Sequence, residues 1–247
     1  MNNLLQLINE SKHIIAFTGA GISTESGIPD FRSSGGLYTS GKYDGKSPES
    51  ILTRKMMRTD PALVLGFYKE RMMKIVEKEP NRAHYALKKL EDMGKLDYII
   101  TQNIDNLHRK AGNRRVLELH GNGTRWVCGI YCGQEYTYEE ANKMISEQEK
   151  PMCRCQMSVI RPDVVMFDES LNDRIFDEAY FASKTCDLMI AIGSSLLVQP
   201  ACGLVDEIPQ DAKLVIINQD KTPFDGKADL VIHESCGKIL EDIINEM

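Results

Sequence analysis

A pair of glycines set directly after a short apolar run constrains this chain more than any other feature. Residues 13–17 read His-Ile-Ile-Ala-Phe, and Thr18-Gly-Ala-Gly-Ile-Ser-Thr-Glu-Ser-Gly-Ile-Pro-Asp-Phe-Arg32 follows. The run reads as a buried strand, and residues 20–26 as the opening of a helix. Glycine at 19 and 21 brings backbone close to whatever sits above the strand end. A glycine turn feeding a helix N-terminus offers N–H groups and a positive dipole end to a phosphate. Such turns also occur without a ligand, so the meaning of this one depends on the rest of the chain.

The rest repeats the theme. Apolar runs bounded by Gly, Pro, Asn or Asp recur at 97–101, 116–119, 164–167, 188–192, 214–217 and 230–232. Continuous apolar runs of this length suit strands buried on both faces. Helical patterns lie between many of them, at 61–78, 83–93, 105–111, 173–183, 201–207 and 237–245, with a short amphipathic helix at the N-terminus. This alternation predicts an α/β fold, a Rossmann-like doubly wound parallel sheet. Two stretches break it, 33–60 and 125–158. The expected division is a large lobe of 1–34, 94–124 and 159–247 and a small lobe of 35–93 and 125–158.

The charge balance narrows the function. Net charge is −6 over 247 residues, and no basic stripe of the kind a nucleic-acid binder carries is visible. No apolar run reaches the roughly 18 residues of a membrane span, and the N-terminus lacks a signal pattern. The expected address is cytoplasmic, with no membrane partner. An odd count of seven cysteines argues against a disulfide framework. Four of them, Cys128, Cys132, Cys153 and Cys155, fall in two close pairs.

Polar residues gather at strand ends, where ligands of open α/β sheets bind. After 97–101 come Gln102, Asn103 and Asp105, a helix cap or a site with equal ease. His120 ends the run 116–119, where a neutral imidazole suits general base work near pH 7. Gly193, Ser194 and Ser195 follow 188–192, and Asn218 follows 214–217, placed for ribose and phosphate groups. Asp30, Phe31 and Arg32 fall on a Pro-stiffened loop beside the glycine turn, a pocket wall or an ordinary surface turn with equal ease. The acid that a dehydrogenase needs about 20 residues on is missing: Asp44 lies in Gly41-Lys-Tyr-Asp-Gly45, which is no strand.

Taken in order, Gly19-Ala-Gly-Ile-Ser23, Gly27-Ile-Pro-Asp-Phe-Arg32, Gln102-Asn-Ile-Asp105, His120-Gly121, the paired cysteines, Ile160-Arg-Pro-Asp-Val-Val165, Gly193-Ser-Ser195 and Asn218 resemble the sirtuins, NAD-dependent protein-lysine deacylases, of bacterial type. The resemblance spans almost the whole chain. It implies that Gly19, Ala20, Gly21, Ser23, Thr24, Asp30, Phe31, Arg32 and Gln102 serve the NAD pocket. Gly193, Ser194, Ser195 and Asn218 would bind the adenosine half, with Cys236 near the adenine. His120 would be the general base, with Asn103 and Asp105 as its catalytic companions. Val164, Val165 and Phe167 would line the acyl-lysine site. NAD would be consumed, giving nicotinamide and O-acyl-ADP-ribose, so no hydride needs placing. The four paired cysteines would hold one structural Zn2+.

The chain departs from the family pattern in places. Cys128 and Cys132 are separated by three residues and Cys153 and Cys155 by one, where the family has two Cys-x-x-Cys pairs. Asp168 stands at a usual glycine, and so does Asn106, which tolerates the left-handed conformation. Tyr68 and Arg71, three apart on one expected helical face, match a pair that binds acidic acyl groups in desuccinylating and demalonylating sirtuins. The leading expectation is an NAD-dependent deacetylase acting on acyl-lysine proteins as a monomer or weak oligomer. The alternatives are a desuccinylase or demalonylase, an ADP-ribosyltransferase, a non-catalytic NAD sensor and, last, a dehydrogenase.

Overall fold

The computed structural model describes residues 2–30, 36 and 41–247. Nine strands order the described residues: β1 (Ile14–Thr18), β2 (Leu96–Thr101), β3 (Val116–Glu118), β4 (Gly121–Cys128), β5 (Glu135–Tyr136), β6 (Ile160–Val164), β7 (Leu188–Ile192), β8 (Lys213–Ile217) and β9 (Leu230–Ile232). Six form one sheet in the order β3-β2-β1-β7-β8-β9, all pairs parallel. The helices in chain order are α1 (Asn2–Glu10), α2 (Pro48–Ile51), α3 (Arg54–Thr59), α4 (Pro61–Phe67), α5 (Arg82–Asp92), α6 (Leu107–Lys110), α7 (Tyr138–Glu147), α8 (Asp173–Thr185) and α9 (Cys236–Glu246).

The period of two along each strand sorts side chains into two layers. Ile14 and Ala16 of β1 pack with Ile190, Val215 and residues of α1, α5 and α9. Their neighbours Ile15 and Phe17 pack with Met189, Ile216 and residues of α8 on the other face. The doubly wound sheet is therefore as the apolar runs predict. Its strand order reverses between β1 and β7, the place where such sheets open a ligand crevice.

A second layer holds the three-stranded antiparallel sheet β5-β4-β6. Its core joins Trp126, Ile160 and Val164 to Val64, Phe67 and Tyr68 of the helical insert. Three expectations change here. The run 164–167 is not a strand of the large sheet: the strand is β6, antiparallel to β4, and Val164 is its last residue. The segment 160–164 pairs with β4 instead, and the buried Arg161 within it is bonded to Glu169 of the following loop. Residues 82–92 form α5, the helix expected at 83–93 displaced by one residue, and its Ala83, Ala86, Leu87 and Leu90 pack in the core of the large sheet. The helical pattern at 61–78 starts as α4, widens into a π turn over Tyr68–Met72 and tightens into a 3₁₀ turn over Met73–Glu77.

Candidate active site

A cleft of about 770 Å3 lies at the reversal of strand order, between the two layers. The ends of β1, β2 and β7 wall it on one side. Gly19, Ala20, Gly21, Asp30, Gln102, Asn103, His120, Gly193, Ser194, Ser195 and Asn218 line it, as do Tyr68, Val164, Val165 and Phe167. Residues scattered over 200 positions of sequence thus meet in one cavity, of a size typical for cofactor sites. Phe31 and Arg32 lie outside the described residues.

The glycine turn works by close packing. The Gly19 N–H donates to Ile192 O at 3.0 Å and the Gly21 N–H to Gly193 O at 2.8 Å. A Cβ on Gly21 would fall 2.7 Å from Gly193 Cα, and one on Gly193, where φ is +59°, would fall 2.3 Å from Ile22 N. The two turns therefore touch backbone to backbone, which no side chain permits. The N–H groups of Gly19 and Gly21 are therefore taken by the carbonyls of Ile192 and Gly193, at and just past the end of β7.

Behind the turn, buried polar groups fix the loop after β2. The Thr18 hydroxyl donates to Thr101 Oγ1 at 2.8 Å, and Asn103 N–H donates to the same Thr101 oxygen at 3.1 Å. Asn103 Nδ2 donates to Gly19 O at 3.0 Å and to Ser23 Oγ at 3.2 Å. Ser23 in turn donates to Asp105 Oδ2 at 2.7 Å, and Asp105 Oδ1 accepts the Leu107 N–H at 2.9 Å. Asp105 is 5% exposed. Burial raises its pKa, the Leu107 and Ser23 donors oppose that, and the Glu118 charge adds to the rise. Ser23 and Asp105 therefore sit behind the cavity wall, positioning Asn103. Asn106 takes the left-handed conformation, φ 66°, as its replacement of glycine requires.

His120 is held with one nitrogen committed. Its Nδ1 lies 2.9 Å from the carbonyl oxygen of Gln102. A carbonyl only accepts, so Nδ1 carries the proton and the lone pair is on Nε2. Burial lowers the ring's pKa, partly offset by the Gln102 bond, so the neutral form prevails at pH 7. Gln102 is fixed in turn by the Ser194 hydroxyl, which donates to its Oε1 at 3.0 Å.

Other expected residues fall off the cavity. Thr24 is exposed, its hydroxyl donating to Gly21 O at 2.9 Å. Cys236 is buried at the start of α9, its sulfur 3.9 Å from Gly21 O; burial pushes its thiol up to about 12, and it packs in the large core. Tyr68 lines the cavity and Arg71 does not. Arg71 lies over the rings of Tyr43 and Phe67, because a π turn holds more residues than an α turn and positions three apart no longer share a face.

The far wall is held by contacts that no sequence pattern signals. Arg161, 2% exposed, makes two bonds to Glu169 at 2.6 and 2.7 Å, and Glu169 lines the cavity. Asp168 accepts the N–H groups of Arg54 and Lys55 at the start of α3. Burial opposes its ionisation, but the backbone donors together with the Arg54 charge outweigh it and lower its pKa. The acid at a usual glycine thus ties the loop to α3. Ile104, Met166 and Leu171 complete the walls, and single apolar residues in loops carry no sequence signal.

The four paired cysteines meet in the small layer. Cys128 and Cys155 sulfurs are 3.6 Å apart, Cys132 and Cys153 3.7 Å, and all four lie within 4.8 Å of one another. Tetrahedral zinc with Zn–S of about 2.3 Å needs S···S of about 3.8 Å, so the set fits. The short Cys-x-Cys loop closes because Gln156 adopts φ 60° and its N–H returns to Cys153 O at 2.8 Å.

Residues 19–200 match the Sir2 family model. The NAD-dependent protein deacetylase of Staphylococcus epidermidis is 42% identical over 245 residues, covering 99% of this chain and 97% of that one. The chain belongs to the Sir2 family. The Thermotoga maritima NAD-dependent protein deacetylase is 41% identical, covering 93% and 91% of the two chains. Among solved structures, a Sir2 protein with a p53 peptide and NAD+ superposes with a TM-score of 0.90 at 38% identity, covering 100% of this chain and 98% of that one. A Sir2 protein bound to an acetylated peptide gives 0.90 at 37%, with the same coverage. The Sir2 fold thus accounts for both layers and for the cleft between them.

Proposed function

We propose that this Sir2-family chain removes acetyl groups from protein lysines, consuming NAD and releasing nicotinamide and O-acetyl-ADP-ribose. The observation that carries the reading is His120. It lines the cleft, its Nδ1 is committed to Gln102 O, and its Nε2 has no hydrogen-bond partner among the described residues. Bound NAD supplies a ribose carbon for the acyl oxygen to attack and a ribose hydroxyl to carry the acyl group away. Gln102 and Asn103 hold the nicotinamide side, and the Gly19–Gly21 and Gly193–Ser195 turns receive the diphosphate and adenosine side with Asn218. Val164, Val165 and Phe167 flank the acyl-lysine. His120 Nε2 takes the proton of the ribose hydroxyl, a step typically worth 10²–10⁴-fold in rate.

Acetyl is favoured over succinyl or malonyl because Arg71 is not among the residues lining the cleft and lies over the rings of Tyr43 and Phe67 instead. The four thiols hold one structural zinc in this reading. Seven free cysteines favour a reducing, cytoplasmic setting. A cleft walled within one chain supports action as a monomer or weak oligomer. Among the described residues, no helix is long and apolar enough to cross a membrane.

The test is a panel of acetyl-, succinyl- and longer-acyl-lysine peptides incubated with NAD. Acetyl peptides are expected to turn over fastest, with no product from His120→Ala while NAD still binds. Unchanged turnover in His120→Ala refutes its role.

A further inference from the structure

His120 sits at the apex of a bracket. Glu118 precedes it by two residues and Asn122 follows by two, and the Asn122 amide donates to Glu118 Oε1 at 2.6 Å. The side chains at the two ends of the segment are thus bonded to each other across the histidine, with Gly121 turning at φ 80° between them. Glu118 is 5% exposed and Asn122 2%.

The bracket is fastened on three sides. Asn122 Nδ2 also donates to Asn106 Oδ1 at 3.0 Å, reaching the loop that carries Asn103 and Asp105. Arg109 of α6 lies 3.2 Å from Glu118 Oε1. Arg125 of β4 lies 3.6 Å from Glu118 Oε2 and 3.2 Å from Asp163 Oδ2. Asp163 directly precedes Val164, and the Val165 N–H donates to His120 O at 2.9 Å. One buried carboxylate therefore touches, at one or two removes, the nicotinamide-side loop, the base and the acyl-lysine edge. A buried carboxylate is stable only with such partners, so its position dictates theirs.

We infer that Glu118 is a positioning residue, which sets His120 against both the NAD-side loop and the acyl-lysine edge. The inference rests on the deacetylase reading above. It concerns the second half of the reaction, in which the base acts. Cleavage of the nicotinamide bond precedes that step and needs no base, so exchange of labelled nicotinamide into NAD, in the presence of acetyl peptide, reports the first half alone. A displaced His120 slows deacetylation and spares exchange. A general loosening of the fold slows both.

The experiment is Glu118→Gln, which keeps the shape and removes the charge that binds Arg109 and Arg125. Deacetylation is expected to fall about tenfold, because a small misplacement of a reacting group costs one to two orders of magnitude. Exchange is expected to stay within about twofold, and KM for NAD and peptide to stay near the native values. Arg125→Met is the second variant, at a side chain 51% exposed, so that folding is not at stake. It is expected to move the ratio of deacetylation to exchange the same way, by about threefold. A parallel fall in both activities, or no change in either, overturns the inference; should Glu118→Gln fail to fold, the Arg125→Met ratio alone decides it. A native protein that neither exchanges nor deacetylates overturns the functional reading instead, so the two failures are distinct.

Discussion

Gly21→Ala tests the packing of the two glycine turns. The added methyl would lie 2.7 Å from Gly193 Cα, 2.9 Å from Gly193 O and 3.0 Å from Gly193 C. All three are backbone atoms, and the Gly193 N–H is bonded to Ile217 O at 2.9 Å, so the neighbour has no rotamer with which to yield. Overpacking of this kind costs about 1–3 kcal/mol. In a chain of this size, 1 kcal/mol shifts Tm by about 2–4 °C, so a fall of about 2–12 °C is expected. If the turns separate instead, NAD must close them again, and the same energy weakens its Kd by about five- to 150-fold. Gly226→Ala is the control: a Cβ there meets nothing within 4 Å and the backbone is not left-handed, so its Tm should equal or slightly exceed the native value. Thermal melts and calorimetric NAD titrations of both variants read the effect. Native-like melting and NAD affinity in Gly21→Ala would refute the reasoning.

Other consequences follow from the same contacts. Because burial lowers the pKa of His120, the base is neutral above it; kcat/KM should be flat around pH 7 and fall only as the pH drops below 6.5, and a fall beginning above pH 7 contradicts the assignment. Glu169→Ala leaves the Arg161 guanidinium buried and unpaired, a loss of about 3–5 kcal/mol, visible as a large drop in Tm; a variant melting within 2 °C of native denies the pair that role. Zinc analysis should find one ion per chain, and Cys153→Ser or a strong chelator should lower Tm by unfolding the β5-β4-β6 layer; metal-free protein of native stability rejects the site.

The large sheet was legible because its strands are unbroken apolar runs, which a chain makes only for two-faced burial. The strand-end residues Asn103, His120, Gly193 and Asn218 were legible for the same reason, since the ends of such runs point at one edge. The small sheet was not. Strand β4 reads Gly-Asn-Gly-Thr-Arg-Trp-Val-Cys, with neither alternation nor an apolar run, and its stability comes from Trp126 packing against Tyr68 and from the cysteines. The roles of Ser23 and Asp105 were equally hidden, because a buried hydrogen bond between residues 82 apart leaves no local trace. The relation between Tyr68 and Arg71 was hidden for a different reason: an i,i+3 argument assumes an α turn, and the chain forms a π turn there.

In the proposed function, His120 completes an NAD-consuming deacetylation. The stoichiometry of an acetyl-lysine peptide reaction, with deacetylated peptide, nicotinamide and O-acetyl-ADP-ribose quantified together, tests this. One nicotinamide and one O-acetyl-ADP-ribose per peptide deacetylated, with no turnover when NAD is omitted, is the predicted result. Peptide deacetylated without NAD, or nicotinamide released with no acetylated ADP-ribose, would contradict it.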